Sequence, residues 1–431
     1  MRKIRFLLFA LLALLYVTNV RALTKGNQFT RDGITYQVTS MIASGSTSDE
    51  VAVVSSTLSG TLTIPSTVKD LNNQYTFNVT SIASAGSYTN VNAVVLPSTL
   101  KTINTNAFSN SQITTINIPA GTDNIMDGAF AQIENLTAIT VDAGNSKYTA
   151  EDGVLYEDKS GNKYLKAYPV AKAGTTFTVP SGVYGVSTNG FQLAKNLTTI
   201  NLPASIQDLP TSAEANGFTS AKKLTAIKVD PANTNFKDED GVVLTQDGKT
   251  LVAYPYARHG VVDPAYNGPL VTMHPGEVYT IPASVETISK GAFAQVSEIT
   301  AVKLNNVKKI SAGAFYSVRN LRNVELGASV ETIEDGAITG SPDFTRFAVD
   351  SNNPNYTADA EGIIYTKNKE ELVLYPSGRA GEYSTLPTTK KIRKRAFYYA
   401  QKVTKVNFNS ALEDIDNDAF QVTTALNEIT F

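Results

Sequence analysis

The chain of 431 residues has no cysteine, no tryptophan and only two histidines. These gaps exclude disulfides, thiolate metal sites, thiol catalysis and multi-histidine zinc sites. Charge is also scarce: 37 Lys+Arg against 39 Asp+Glu leave a formal net charge of -2. So balanced a chain has no long-range field for gathering phosphates or anionic lipid, which disfavours nucleic acid and membrane surfaces as partners. With 42% hydrophobic residues it is nonetheless a folding composition, and its stability must come from packing and backbone hydrogen bonds.

The start of the chain reads as an export signal. Arg2, Lys3 and Arg5 precede an apolar run from Phe6 to Val17, and Val20-Arg21-Ala22 offers small residues for cleavage. The run falls short of the roughly 18 to 20 residues that span a bilayer. Residues 1–22 are therefore expected to be a signal peptide and the mature chain to begin near Leu23, giving an exported protein without a membrane span.

Within the remainder a unit of about 22 or 23 residues repeats, anchored on a small residue and a phenylalanine. Ala107-Phe108, Ala129-Phe130, Gly190-Phe191, Gly217-Phe218, Ala292-Phe293, Ala314-Phe315, Ala396-Phe397 and Ala419-Phe420 mark eight units, and Ala337-Ile338 marks a ninth. An aliphatic residue stands five positions before the anchor in all but the Phe218 unit, which carries a four-residue insertion after Leu209. Apolar residues recur six, nine and eleven positions after it, as in Leu321, Val324 and Leu326. That spacing predicts one short strand per turn of a solenoid, with the phenylalanine packed between turns and the small residue before it at a tight bend.

The register running from Ile281-Pro282 through Val285 and Ile288 to Ala292-Phe293 resembles the bacterial leucine-rich repeats of the BspA type, over roughly residues 64 to 431. The resemblance implies a right-handed, β-rich leucine-rich-repeat solenoid with a parallel concave sheet, on a surface-held or secreted protein. Some members of that family bind host matrix proteins or partner bacteria, so the resemblance adds adhesion as an expectation.

Three longer segments, 141–180, 229–282 and 349–387, interrupt the repeat and resemble one another. Each has an Asn-rich turn, then Asp152-Gly153-Val154, Asp240-Gly241-Val242 or Glu361-Gly362-Ile363, and returns through a Tyr-Pro pair. They are read as enlarged coils carrying an edge hairpin. Twelve of the twenty tyrosines lie in them. Recurring tyrosines are read as packing, whereas the unrepeated Tyr256 and Tyr266 are candidate partner contacts. Residues 23–90 fit the repeat poorly and are expected to form a strand-rich N-terminal cap and a degenerate first coil; 91–431 are expected to be the solenoid.

If the residues at nine and eleven face inward, those at eight and ten form the exposed concave surface. Its N-terminal half is small and neutral. Its C-terminal half carries Lys228, Lys303, Asn323, Glu325, Arg346 and Lys405, which with the two tyrosines are the candidate partner-binding residues.

Chemistry is poorly supported. There is no G-x-S-x-G elbow, and His259 and His274 lie beside loop-forming Gly260 and Pro275. The carboxylates of Glu151-Asp152 and Asp238-Glu239-Asp240 imitate a glycosidase pair, but their recurrence before each hairpin suits turns. Asp414 to Asp418 looks like a calcium loop but has Ala419 and Ala425 where Gly and Glu are needed. The reading is a binding protein with no enzymatic activity, cofactor or metal, whose partner is a protein such as a host matrix or bacterial surface protein; glycan binding and a purely structural role are the alternatives, and a carboxylate-based hydrolase is a weaker one.

Overall fold

The computed structural model describes residues 23–41, 49–259 and 278–431. The expected signal peptide, Tyr266 and His274 lie outside them. All regular structure among the described residues is β strand, wound into a solenoid of about 14 turns with no helix.

One turn shows why the repeat folds this way. Thr287–Ile288 is a short strand that pairs in parallel with Lys309–Ile310 in the next turn. The chain then bends at Ala292-Phe293 and crosses to a second strand, Ala301–Lys303, which pairs in parallel with Asn323–Leu326. The side chains of Ile288, Ala292, Phe293, Ile299, Val302 and Leu304 are all buried inside the turn. Successive phenylalanines stack along the axis: Phe293 and Phe315 lie 4.7 Å apart at 10°, and Phe397 and Phe420 lie 4.6 Å apart at 19°. Each ring contributes roughly 1.5 to 3 kcal/mol by burial, with about 0.5 to 1.5 more from its aromatic neighbour.

The bend itself differs from the expectation. Left-handed backbone falls two residues before the anchor phenylalanine, at Gly128, Gly291 and Gly313, or before Ile338 in its place, at Gly336, and two residues after the phenylalanine, at Leu193, Ser220, Gln295 and Tyr399. The alanine between is small for another reason, because it is fully buried at 107, 292, 314, 337 and 396 and has no room to grow.

The three interruptions are more than edge hairpins. Each is a three-stranded antiparallel meander, such as Tyr148–Glu151, Val154–Lys159 and Asn162–Ala167. Its third strand joins the next stack in parallel, pairing Leu165 with Val186, Leu251 with Ile288 and Leu372 with Ile392. The middle strand is buried on both faces. Leu155 packs into the core of the preceding stack while Val154 and Tyr156 pack into the following one. Val243 faces back and Val242 and Leu244 forward; Ile364 faces back and Ile363 and Tyr365 forward. A strand with two apolar sides reads as an unbroken apolar run, which is what Val154-Leu155-Tyr156 is. The meanders are septa that divide one solenoid into four stacks.

The N-terminal strands Gln28–Arg31, Ile34–Ser40 and Glu50–Ser56 repeat the same meander. Asp32-Gly33 turns as Asp152-Gly153 and Asp240-Gly241 do, with both residues of each pair at positive φ. At each such turn a Cβ on the glycine would collide with the strand behind it, 2.9 Å from Ala138 at Gly153 and 2.9 Å from Ala226 at Gly241. At Gly33 the neighbour is Leu58, 2.7 Å away. Thr57 donates its N–H to Gly33 as Ile139 does to Gly153, so the cap supplies its own substitute for a preceding strand. Half-buried Thr35 stands where the septa carry Leu155, Val243 and Ile364.

The strand face as candidate functional site

The second strand of each turn builds the face that sequence spacing singled out. Its parallel sheets run through Thr115–Ile118 and Ala138–Val141, then Thr176–Thr178, Thr199–Leu202 and Ala226–Val229. Two further sheets follow: Val278–Thr280 to Ala348–Val349, and Gly381–Ser384 to Glu428–Thr430. Between sheets, the Asp-Gly or Glu-Gly turn of each meander wedges in and accepts an N–H from Ile139, Ile227 or Phe347.

The candidate residues separate into unlike groups. Lys303 and Arg346 are exposed, and neither has an ion pair or side-chain hydrogen bond among the described residues. Lys228 is exposed but lies 3.0 Å from Asp238 of the following meander. Burial works to raise the Asp238 pKa, yet the Val229 amide, the Lys228 ammonium and the Gly241 amide outweigh it and hold the carboxyl below the usual range. Lys405 is half-buried, 2.9 Å from Glu428 and 3.8 Å from Glu382. Its hydrogen bond to Glu428 is the main cause that raises its pKa. Glu325 is half-buried and sits in register with Lys303.

Asn323 departs from the expected exposure, with only 2% of its surface accessible. It lies in register beside Ala301 and Val278, which are 7% and 8% accessible, so the whole row is covered. Strand alternation determines the side to which a residue points, and this side is closed to solvent along that row. Tyr256 is half-buried just past a meander corner, and its carbonyl accepts the Ser297 N–H at 3.3 Å. The recurring tyrosines 148, 156, 168, 254, 356, 365 and 375 are all buried.

Of the carboxylates that imitated a glycosidase pair, all but the exposed Glu239 are paired with a cation of this chain. Glu151 pairs with Lys163, Asp152 with Lys172 at 3.0 Å and Asp240 with Arg258. Asp414 and Asp416 share Lys391, each at 3.0 Å. His259 is exposed. Among the described residues no group of three His, Asp or Glu side chains converges as for a metal ion, and no helix is long and apolar enough to cross a membrane.

A cluster absent from the sequence reading lies at the phenylalanine corner. The insertion after Leu209 runs along that corner. A Cβ on Gly291 would fall 2.2 Å from the Ser212 carbonyl, and one on Gly313 1.6 Å from that of Ala213. The insertion ends against Tyr398, whose hydroxyl donates to Glu214 at 3.3 Å. Tyr399 stands edge-on to both Tyr398 and Tyr316, and the Arg395 guanidinium lies 4.9 Å from the Tyr398 ring. The available signal was aromatic residues directly after Phe315 and Phe397, where other units carry Ser109, Ala131 or Thr219.

Fold and face define a β-solenoid repeat protein whose broad surface is one strand per turn. The sequence profile of the BspA type leucine-rich repeat region matches in six copies, at residues 56–152, 170–239, 277–360 and 382–431, and the chain belongs to that family. No curated protein matches it. Among solved structures it is similar to a leucine-rich repeat protein from Eubacterium ventriosum, 16% identical over 94% of this chain and 85% of that one, with a TM-score of 0.43. It is similar also to the pneumococcal vaccine antigen PcpA, 17% identical over 95% and 100% of the two chains, TM-score 0.39. A leucine-rich cell surface protein from Faecalibacterium prausnitzii is 17% identical over 94% and 95%, TM-score 0.34.

Proposed function

We propose that this chain is a non-enzymatic binding scaffold, exported to the cell surface or beyond, that captures a protein partner on the strand face of its C-terminal half. The observation that carries the reading is the contrast between exposed, unpaired Lys303 and Arg346 and the internally paired Lys228 and Lys405. An exposed cation with no carboxylate of its own among the described residues is available to a partner's carboxylate; the sheet holds Lys303 in place, and Arg346 stands just before the strand Ala348–Val349. Single exposed pairs contribute only about 0 to 1 kcal/mol, so the face must act through several contacts. Family membership and the charged, apolar start of the chain support export and adhesion to a host matrix or bacterial surface protein.

The test is capture of matrix proteins, bacterial surface proteins and glycans by the purified mature chain. Converting Lys303 and Arg346 together to Ser should weaken protein capture and its salt dependence at unchanged melting temperature, while the same change at Lys228 and Lys405 should have the smaller effect. Capture that survives the first pair and fails when Tyr256 is changed would move the site to the meander. Retention of glycans alone, insensitive to salt, would favour the glycan-binding reading.

A further inference from the structure

The N-terminal cap contains an open groove of about 500 Å³, bounded by the Arg31-Asp32 turn on one side and by the strand Gly60–Thr63 and the Thr67–Lys69 segment on the other. Three independent features converge on it. The strand Gly60–Thr63 pairs on one side only, in parallel with Val91–Val95. Gly60 and Ile64 donate their N–H groups toward that neighbour. By the two-residue period of a strand, the N–H and C=O of Thr61 and Thr63 point the other way, and among the described residues nothing pairs with them. Its pairing shifts register between Gly60 and Thr61, but the strand carries no charged residue or proline to discourage a further strand.

Tyr36 is the second feature. It lines the groove, is 1% exposed, and its hydroxyl makes no hydrogen bond among the described residues. A hydroxyl at the groove with no protein partner leaves hydrogen-bonding capacity for an occupant. The third feature is charge. The Arg31 guanidinium is spent on the carbonyl of Asp70 at 2.8 Å and the side chain of Asn73 at 2.7 Å, and lies 3.9 Å from the Asp32 carboxylate, which also lines the groove. Lys69 is exposed and has no carboxylate partner among the described residues.

We propose that this groove is a strand-addition site that binds an extended acidic peptide segment of a partner protein along the edge at Thr61 and Thr63. Main-chain hydrogen bonds to those two residues give the affinity, the Tyr36 hydroxyl receives one inward-pointing side chain, and Lys69 selects a carboxylate. The site is separate from the strand face of the C-terminal half and does not depend on the reading of that face.

The experiment titrates the whole mature chain against a dye-labelled peptide of alternating glutamate and valine, with an alternating lysine and valine peptide as the contrast. The acidic peptide should bind, and amide exchange at Thr61 and Thr63 should slow when it does. Thr63→Pro removes an edge donor and should weaken binding by about tenfold or more. Tyr36→Phe, which keeps the ring, and Lys69→Ser should each weaken it at unchanged melting temperature. The proposal is overturned if neither peptide binds, if both bind equally, or if binding ignores Thr63→Pro and Tyr36→Phe alike. A chain that sediments as a dimer and becomes monomeric on Thr63→Pro would also overturn it, because the edge would then belong to a second copy.

Discussion

The N-terminal meander and the first two internal ones share strands, turn and register but do opposite work. Ile34-Thr35-Tyr36 and Val154-Leu155-Tyr156 differ at the middle position, and that position decides the outcome. Leucine there joins the core of the preceding stack, whereas threonine is a half-buried polar residue outside the apolar clusters. A repeat protein needs capping units with a polar outer face, and the N-terminal meander has the form of a septum with polar Thr35 at the position that faces back.

The comparison breaks most severely at Leu155. Leu155→Asp buries an unpaired carboxylate between two cores and should cost about 5 kcal/mol or more, while Thr35→Asp at the matching position of the cap should shift the denaturant midpoint little. Phe315 serves one stack only, so Phe315→Ala should cost roughly 3 to 5 kcal/mol with its losses confined to that stack. Tyr316→Ala beside it should cost clearly less, since that ring is half-buried and held by Tyr399. Equal losses at 315 and 316 would contradict the packing described. Gly153→Ala combines positive φ with a clash against Ala138 and should destabilise by about 1 to 3 kcal/mol. Gly144 has positive φ but nothing within 4 Å, and its alanine variant should lose about 1 kcal/mol, which thermal unfolding can resolve.

The smallest effect is alkaline. Burial, the largest cause in each case, raises the phenol pKa of Tyr36, Tyr168, Tyr365 and Tyr375 from 10.0 to about 12. A raised folded pKa means that the neutral phenol is favoured by folding, so this stability is complete below pH 10 and is lost as pH rises toward about 12. The melting temperature should therefore fall through that window in cap and septa alike, and a Tyr365→Phe variant should show a shallower decline.

The 22- to 23-residue repeat was legible because Ala-Phe and the flanking aliphatic residues each answer to one packing position. The N-terminal meander was not, although Asp32-Gly33 and Tyr36 match Asp152-Gly153 and Tyr156. Thr35 breaks the apolar run that marks the other copies. The left-handed positions also escaped notice because Leu193, Tyr399 and Val422 occupy several of them, and nothing local advertises a positive φ at such residues. On the strand face, alternation placed Lys228 and Lys405 on the correct side. Their pairing needed the knowledge that Asp238 folds back from a meander and that Glu428 lies one turn away. Burial of the Val278, Ala301 and Asn323 row likewise cannot be read from period-two spacing, which fixes direction without saying what covers the surface.

The central claim is that a meander is one wall shared by two cores, and amide hydrogen exchange of the Leu155→Thr variant tests it most directly. Leu155 contributes to the stack before the septum, and its neighbours Val154 and Tyr156 to the stack after it. The account predicts faster exchange on both sides, at Ile116 to Ile118 and at Ile200 to Leu202, with the Ile310 and Val324 region of the third stack much less affected. Loss of protection on the N-terminal side alone would contradict it, because the meander would then belong to one stack and the molecule would be a row of separate units.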